Sequence, residues 1–376
     1  MHSSLPYSPK LDIAALSRLF ANTTNSYKYV FFISYLDILR RRDFSAREPI
    51  SFREMTVEML ATSWYPHNYF RLSFGLQDKI TAKLDSLTLT VGKPVLNFRD
   101  IDKKLLREAF SRQKLDNSLM HYVPFRVLRP FFEDELRGQP DYRIDPTIAR
   151  LATEKYNERK PLYRFNASQD QLIPHPAWAA YLKTHFSVIK GWTAWNWLQY
   201  MQKCNQAVPA ISSKLFPPQN RDSLKVQAEY WKTAIRHGGL KCIYSGEPLS
   251  PEKVSLDHFL PWSFVAHDQL WNLIPTQSEV NSSKSDNLPA SSYFDGFVRL
   301  QHQGLVITNK QVEEQKWNKY IEPFIADLKV SNKHDLLDQQ KLRRAYEATL
   351  LPMLTLAQTL GFSSNWHFRH APSNLK

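Results

Sequence analysis

The stretch from Lys241 to Pro289, KCIYSGEPLSPEKVSLDHFLPWSFVAHDQLWNLIPTQSEVNSSKSDNLP, constrains this chain more than any other. VSLDHFL (254–260) is apolar at Val254, Leu256 and Phe259 and reads as a short strand. WNLIPT (271–276) reads as a second strand, closed by Pro275. Thr276 and Glu279 have the spacing of a capping box, so a helix is expected to open at Thr276. Strand, loop, strand, helix makes a hairpin backed by a helix. Within that frame five polar residues fall at fixed offsets: Asp257, His258, Asn272, Asn281 and Lys284.

Their chemistry is specific. Asp257 and Asn281 carry hard oxygens that can meet across the unit and hold one Mg²⁺-like ion. His258, the next residue in the strand, points to the face opposite Asp257, where it can take a proton from water. Lys284 lies at i+3 from Asn281 on the same helix face, and its ammonium suits a phosphate. Base, metal ligands and cation are the parts of phosphodiester hydrolysis.

The segment resembles an HNH endonuclease, the ββα-metal fold, and is most similar to the HNH domain of the RNA-guided CRISPR effector nucleases. DHFLPWSF, WNLIPTQSEVN and NSSKSDNLP carry the resemblance, which covers about 50 residues of 376. It implies that Asp257 and Asn281 are metal ligands, with Mg²⁺ or Mn²⁺ as the cofactor, and that His258 is the general base. It also implies that Asn272 braces the loop carrying the base through hydrogen bonds to backbone, and that Lys284 sits near the phosphate. One feature departs from the pattern. Many HNH proteins bind a structural zinc through paired CxxC knuckles, but Cys242-Ile-Tyr-Ser245 ends in serine and the only other cysteine is Cys204. Four thiolate ligands are impossible with two cysteines. No structural zinc is expected, and packing by Ile243 and Tyr244 is expected in its place. His267, in the loop between the strands, reads as an ordinary solvated histidine.

A chain of this length suits two or three domains, and 43% hydrophobic residues with 13% aromatic make it globular, not disordered. Ten glycines against 23 prolines favour many helices with hard stops. Two cysteines exclude a disulfide scaffold and fit a reducing cytoplasm, the expected location. MHSSLPYSPK lacks the apolar core of a signal peptide, and the most apolar stretch, Tyr27 to Leu39, is broken by Lys28 and Asp37, so membrane insertion is not expected. The formal charge of +13 is unevenly placed. Residues 241–290 carry three basic and six acidic side chains, and residues 291–376 carry eleven and eight. All of the +13 therefore resides in residues 1–240, where a polyanion should be held.

Along the chain, Ser26 is expected to cap a helix that runs to about Arg42. Arg40, Arg41 and Arg42 at its end suit the helix dipole and are equally candidates for nucleic-acid binding. Ser51 and Glu54 form a capping box opening a helix that stops before Pro66. Two more helices are expected at Leu76–Leu87 and Asp100–Arg112, with a turn or short strands near Thr88–Asn97. HYVPFRVLRPFF (121–132) is β-prone but carries Pro124 and Pro130, which suggests an edge strand or an extended segment crossing a surface. LYRF (162–165) and QLI (171–173) can pair as a hairpin, and the tryptophans Trp178, Trp192, Trp195 and Trp197 read as core of a helical stretch. Residues 206–220, with Pro209, Pro217 and Pro218, read as a linker. Helices follow at Asp222–His237 and, past Pro289, at Ser292–His302, Asn309–Leu328 and Leu336–Leu360, with Pro323 and Pro352 expected to kink or split the last two and the tail expected to fray.

The fold class expected is α+β and predominantly helical: a basic helical domain at 1–218, then an HNH nuclease domain at 219–376 with its ββα-metal core at about 241–290 and C-terminal helices beyond. The activity expected is metal-dependent hydrolysis of phosphodiester bonds in DNA, with RNA left open, and one nick per monomer. Stand-alone HNH proteins with a large helical N-terminal region resemble effectors of bacterial anti-phage defence systems, such as the HNH subunit of type II Zorya, which implies other subunits as partners. Two rival readings stay open: a site-preferring restriction or homing-type nuclease, and a non-catalytic nucleic-acid-binding or assembly subunit with a vestigial HNH unit.

Overall fold

The computed structural model describes residues 5–87, 100–217 and 222–369, without the side chains of 100–102; the segment expected to turn near Thr88–Asn97 lies outside the described residues. The chain is predominantly helical with two small sheets. It divides into two compact units, Met1–Gln206 with Ile211–Asn220, and Ala207–Ala210 with Arg221–Lys376.

The first unit is built around α1 (Tyr27–Arg41), which buries residues on every face from Tyr29 to Leu39 apart from Asp37. A helix that is apolar all round belongs inside a bundle. It packs against α2 (Phe52–Trp64) and α3 (Phe186–Cys204). Ser51 caps α2 by accepting from the Glu54 amide at 3.1 Å. Ser26 occupies the N-cap position of α1 but does not cap it, because its hydroxyl is taken by the carboxylate of Asp78. Two strands, β1 (Ile50–Ser51) and β2 (Tyr163–Phe165), flank β3 (Gln171–Pro174) in an antiparallel sheet, so the expected hairpin at 162–173 gains a third strand.

Three expectations for this region fail for identifiable reasons. Residues 121–132 form no strand. Pro124 and Pro130 fall in the first turns of Val123–Arg126 and Arg129–Phe131, where a missing N–H removes no intrahelical bond. The chain also continues past Trp64 as a π-helical turn, Tyr65–Tyr69, that takes in Pro66. Residues 206–220 are not a bare linker: Ile211–Leu215 is helical and buries Ile211 and Leu215.

The second unit opens with α4 (Lys225–Gly238), stopped by Gly239 at φ +55°, a left-handed conformation suited to glycine. The hairpin pairs β4 (Ser255–His258) with β5 (Leu273–Thr276), setting Asp257 opposite Ile274 and His258 opposite Leu273. Helix α5 (Ser278–Lys284) follows. It starts two residues later than the capping box suggested, because Thr276 is the buried last residue of β5, with its Oγ1 3.1 Å from the Sγ of Cys242. Gln277 occupies the N-cap position without a side-chain bond.

Helices α6 (Phe294–Gln311), α7 (Glu314–Asp327) and α8 (Gln339–Thr359) complete the unit. Pro323 and Pro352 lie inside α7 and α8 without dividing them; Pro352 is exposed, so water can meet the carbonyl it frees. Helix α6 lies close to α4 at Gly304, where an added Cβ would stand 2.9 Å from both the Trp231 ring and the Tyr230 hydroxyl. The tail does not fray through residue 369. Leu288 donates to Ser363 at 2.8 Å, Trp366 donates to Leu288 at 3.0 Å, and Ala290 donates to Trp366 at 3.0 Å.

The helices hold the hairpin by polar contacts as well as by packing. The Nε2 of Gln301, fully buried on α6, is within hydrogen-bond distance of the carbonyls of Leu270 (3.2 Å), Trp271 (3.2 Å) and Leu273 (2.9 Å). Tyr346 on α8 donates to Trp271 O at 2.9 Å, and Trp231 on α4 donates to Leu273 O at 3.1 Å. Gln301→Leu removes the donor shared by three buried carbonyls. The expected loss is about 2 kcal/mol of unfolding free energy, read as a lowered Tm in differential scanning calorimetry.

Candidate active site

The site is assembled on β4, the loop after it, and α5. Alternation along β4 sends Asp257 and His258 to different partners. Asp257 is buried, with 2% exposure. Its Oδ2 accepts from the Tyr244 hydroxyl at 2.8 Å, and its Oδ1 accepts from the Lys284 ammonium at 3.1 Å. Burial, reinforced by the Asp257 charge, holds the Tyr244 hydroxyl well above its usual range, so it remains a proton donor. Lys284 is fully buried and also donates to His258 O at 2.6 Å. It holds Asp257 and the β4 backbone, and the structure does not place it as an exposed cation.

His258 turns to the loop. Its Nε2 lies 2.7 Å from Oδ1 of Asp268, and both side chains are largely buried. An ionised carboxylate only accepts, so the neutral imidazole carries its proton on Nε2 and keeps its lone pair on Nδ1. Asn272, also fully buried, closes the loop from inside. Its Oδ1 accepts from the Leu260 amide at 2.8 Å, its Nδ2 donates to the Leu260 carbonyl at 2.9 Å, and its own carbonyl accepts from Phe259 N at 2.9 Å. The peptide two residues after His258 is therefore gripped on both sides.

Asn281 ties α5 to β4. Its Nδ2 donates to Ser255 Oγ at 2.9 Å and to Leu256 O at 3.0 Å. With the nitrogen committed to the strand, Oδ1 is the atom of the amide left for a hard cation. The Asp257 oxygens each accept one hydrogen bond and retain lone-pair capacity. Among the described residues no group of three or more His, Cys, Asp or Glu side chains could hold a metal ion. A cation here would take Asp257 and Asn281 and complete its shell with water and substrate oxygens, which is the habit of Mg²⁺. The donor set fits that ion.

Residues 242–290 match the HNH endonuclease family. Neither curated proteins nor solved structures return a match to the chain. The family that this segment matches is one of endonucleases, whose substrates are nucleic acids and which typically use a divalent metal. At the position of the HNH zinc knuckle, Cys242 bonds Thr276 and Ser245 Oγ lies 3.2 Å from Gln277 Oε1, so both ends of the Cys-x-x-Ser run tie to the strand–helix junction. Tyr244 meets Tyr293 and Trp366 edge-on at 5.0 and 5.2 Å.

The Arg40–Arg42 triplet lies in the other unit and is partly tied within it. Arg41 pairs with buried Glu58 at 2.7 Å, and Arg42 pairs with Glu54 at 2.6 Å. Arg40 is exposed, its guanidinium 5.3 Å over the Phe186 ring. Among the described residues no helix is long and apolar enough to cross a membrane.

The sequence reading missed Asp268 and the polar role of Tyr244. His267-Asp268 stands in the loop as a visible pair, but only the histidine drew attention. The reading of His267 as solvated is also corrected. The ring is half-buried, 5.2 Å from the Trp271 ring, and accepts from Gln269 N at 3.3 Å. Burial pushes its pKa down to about 4. The unfolded chain therefore binds a proton near pH 6.5 that the folded chain refuses until about pH 4. Stability contributed by neutral His267 is full above pH 6.5 and is lost as pH falls toward 4, by roughly 1–3 kcal/mol. Denaturation of His267→Gln across that window should show a flatter pH dependence than wild type.

Proposed function

We propose that the protein is a metal-dependent endonuclease that hydrolyses phosphodiester bonds in DNA, one strand per active site. The observation that carries this is His258 held at Nε2 by the Asp268 carboxylate, on the same strand as Asp257 and tied through Asn281 to the adjoining helix, which gives a base and two hard oxygen donors on adjoining elements. Nδ1 of His258 takes the proton from the attacking water, and Asp268 stabilises the imidazolium that forms. Asn272 keeps the backbone beyond His258 in register during that transfer. Asp257 and Asn281 would hold a divalent cation, which would supply Lewis-acid stabilisation of the phosphate charge and of the leaving oxygen. Lys284 holds the Asp257 carboxylate for that role, as a positioning residue. A vestigial unit would not need this complete set of base, orienting carboxylate, ligands and brace. The basic residues 1–240 are taken to hold the nucleic acid.

His258→Ala should slow nicking of supercoiled plasmid by roughly 10²–10⁴, with binding little changed. Chelation should stop the wild-type reaction, and Mg²⁺ or Mn²⁺ should restore it. Cutting by the alanine variant at the wild-type rate would remove His258 from the mechanism.

Asp268→Asn keeps the shape but not the charge. It should lower the single-turnover rate by at least ~10-fold without weakening DNA affinity, and it should change the shape of the pH–rate profile, because the amide permits either imidazole tautomer. A profile identical to wild type would assign Asp268 a purely structural role.

A further inference from the structure

Two adjoining cavities in the first unit combine basic and aromatic character. One, of about 600 Å³, is lined by Arg18, Lys28, Arg126 and Arg129, against Glu133 and Asp141. The other, of about 710 Å³, shares Tyr122, Arg126 and Asp141 with it and adds Tyr142.

The four cations are not equally engaged. Arg126 is held by Asp141 at 2.8 Å and by Asp145, and Arg18 by Glu133 at 3.2 Å. Among the described residues the Lys28 ammonium donates only to the carbonyls of Asn22 (3.0 Å) and Leu19 (3.4 Å). Arg129 is exposed, and its side chain makes no hydrogen bond or ion pair among the described residues. The surplus of positive charge therefore sits at Lys28 and Arg129. Burial, then the charges of Arg129 and Arg126, lower the Lys28 pKa to about 8. An anion seated between Lys28 and Arg129 would relieve that repulsion.

The aromatic side of the trough is open. Tyr122 is 59% exposed and Tyr142 is 73% exposed. Arg143 lies over the Tyr142 ring at 5.6 Å. Exposed rings beside unpaired cations suit a strand whose bases are free to stack. A duplex hides its base faces, and the exposure of Arg129, Tyr122 and Tyr142 leaves a path across the surface that an enclosed small-molecule pocket would lack.

We propose that this trough binds single-stranded nucleic acid, with a backbone phosphate at Lys28 and Arg129 and bases stacked on Tyr122 and Tyr142. The proposal rests on the nuclease reading above and names the holding site it leaves unspecified.

The test uses the full chain carrying His258→Ala, so that binding is read without cutting. Fluorescence anisotropy measures its affinity for labelled oligothymidine of about 12 nucleotides and for a duplex of the same length. Tyr122→Ala and Tyr142→Ala should each weaken oligothymidine binding by roughly 5- to 150-fold and leave duplex binding unchanged. Tyr122→Phe should bind as wild type. Arg129→Ala should reduce the slope of log affinity against log salt by about 0.7. These are surface changes, and circular dichroism checks each fold; the Arg129 arm stands independently of the tyrosine arms. Tyrosine variants that bind oligothymidine like wild type would overturn the proposal, as would full competition by thymidine monophosphate at the oligonucleotide's own concentration. Plasmid nicking by the His258 protein separates the two readings. Nicking with an unaffected trough sinks this proposal alone, and a binding trough without nicking sinks the nuclease reading alone.

Discussion

The second unit depends on one buried carboxylate. Asp257 sits almost out of water and needs partners that stabilise its charge. Lys284 supplies an ammonium from the last residue of α5, and Tyr244 supplies a hydroxyl from the chain before the hairpin. Three separated pieces of sequence therefore converge on one side chain. Removing the ammonium alone would leave a buried, uncompensated charge, at about 3–5 kcal/mol. In the proposed reaction the same arrangement would keep a candidate ligand oxygen fixed before a metal binds. Pre-organisation of that kind serves catalysis, since little need move when charge develops at the phosphate.

The hairpin is too short to hold itself. Two four-residue strands are marginal in water, and here the supporting structure comes from helices outside the matched segment. Gln301 and Trp231 donate to the carbonyl of Leu273 at the start of β5, Tyr346 donates to that of Trp271 just before it, and Trp271 donates to Asp327 on α7 at 2.6 Å. Asn272 lies within the stretch they hold, and through it the loop carrying His258 is fixed. Residues near 300 and 346 are thus linked to residue 258 by a chain of buried hydrogen bonds and the short backbone stretches between them.

That chain explains what was legible in the sequence. The hairpin and the spacing of Asp257, His258, Asn272, Asn281 and Lys284 could be read because local periodicity and fixed offsets encode them. The partner of His258 could not be, since nothing local says that a loop carboxylate ten residues on will fold back to it. Lys284 was legible as a cation on the Asn281 face, but its complete burial is a tertiary fact. Thr276 misled in the opposite way: its spacing to Glu279 imitates a capping box, while its place at the end of a buried strand commits its hydroxyl to Cys242. The prolines at 124 and 130 misled because proline at a helix start and proline at a strand edge look the same from sequence.

Charge is the other place where composition and structure part. The +13 of residues 1–240 describes a count, not a surface. Arg41 and Lys103 meet buried Glu58, while Lys103 and Lys190 meet Asp37, which their charges bring down to about 2 despite its burial. Those cations hold helices together and are not available to a polyanion. The positive charge open to a polyanion is what is left once these internal pairs are subtracted. What remains is the set of cations without an ion pair among the described residues, Arg40, Lys28 and Arg129 among them. Affinity for nucleic acid in this unit should scale with that set and not with the formal charge. The arginine triplet illustrates the difference, because two of three adjacent identical residues are tied in ion pairs and the third is left exposed over a ring.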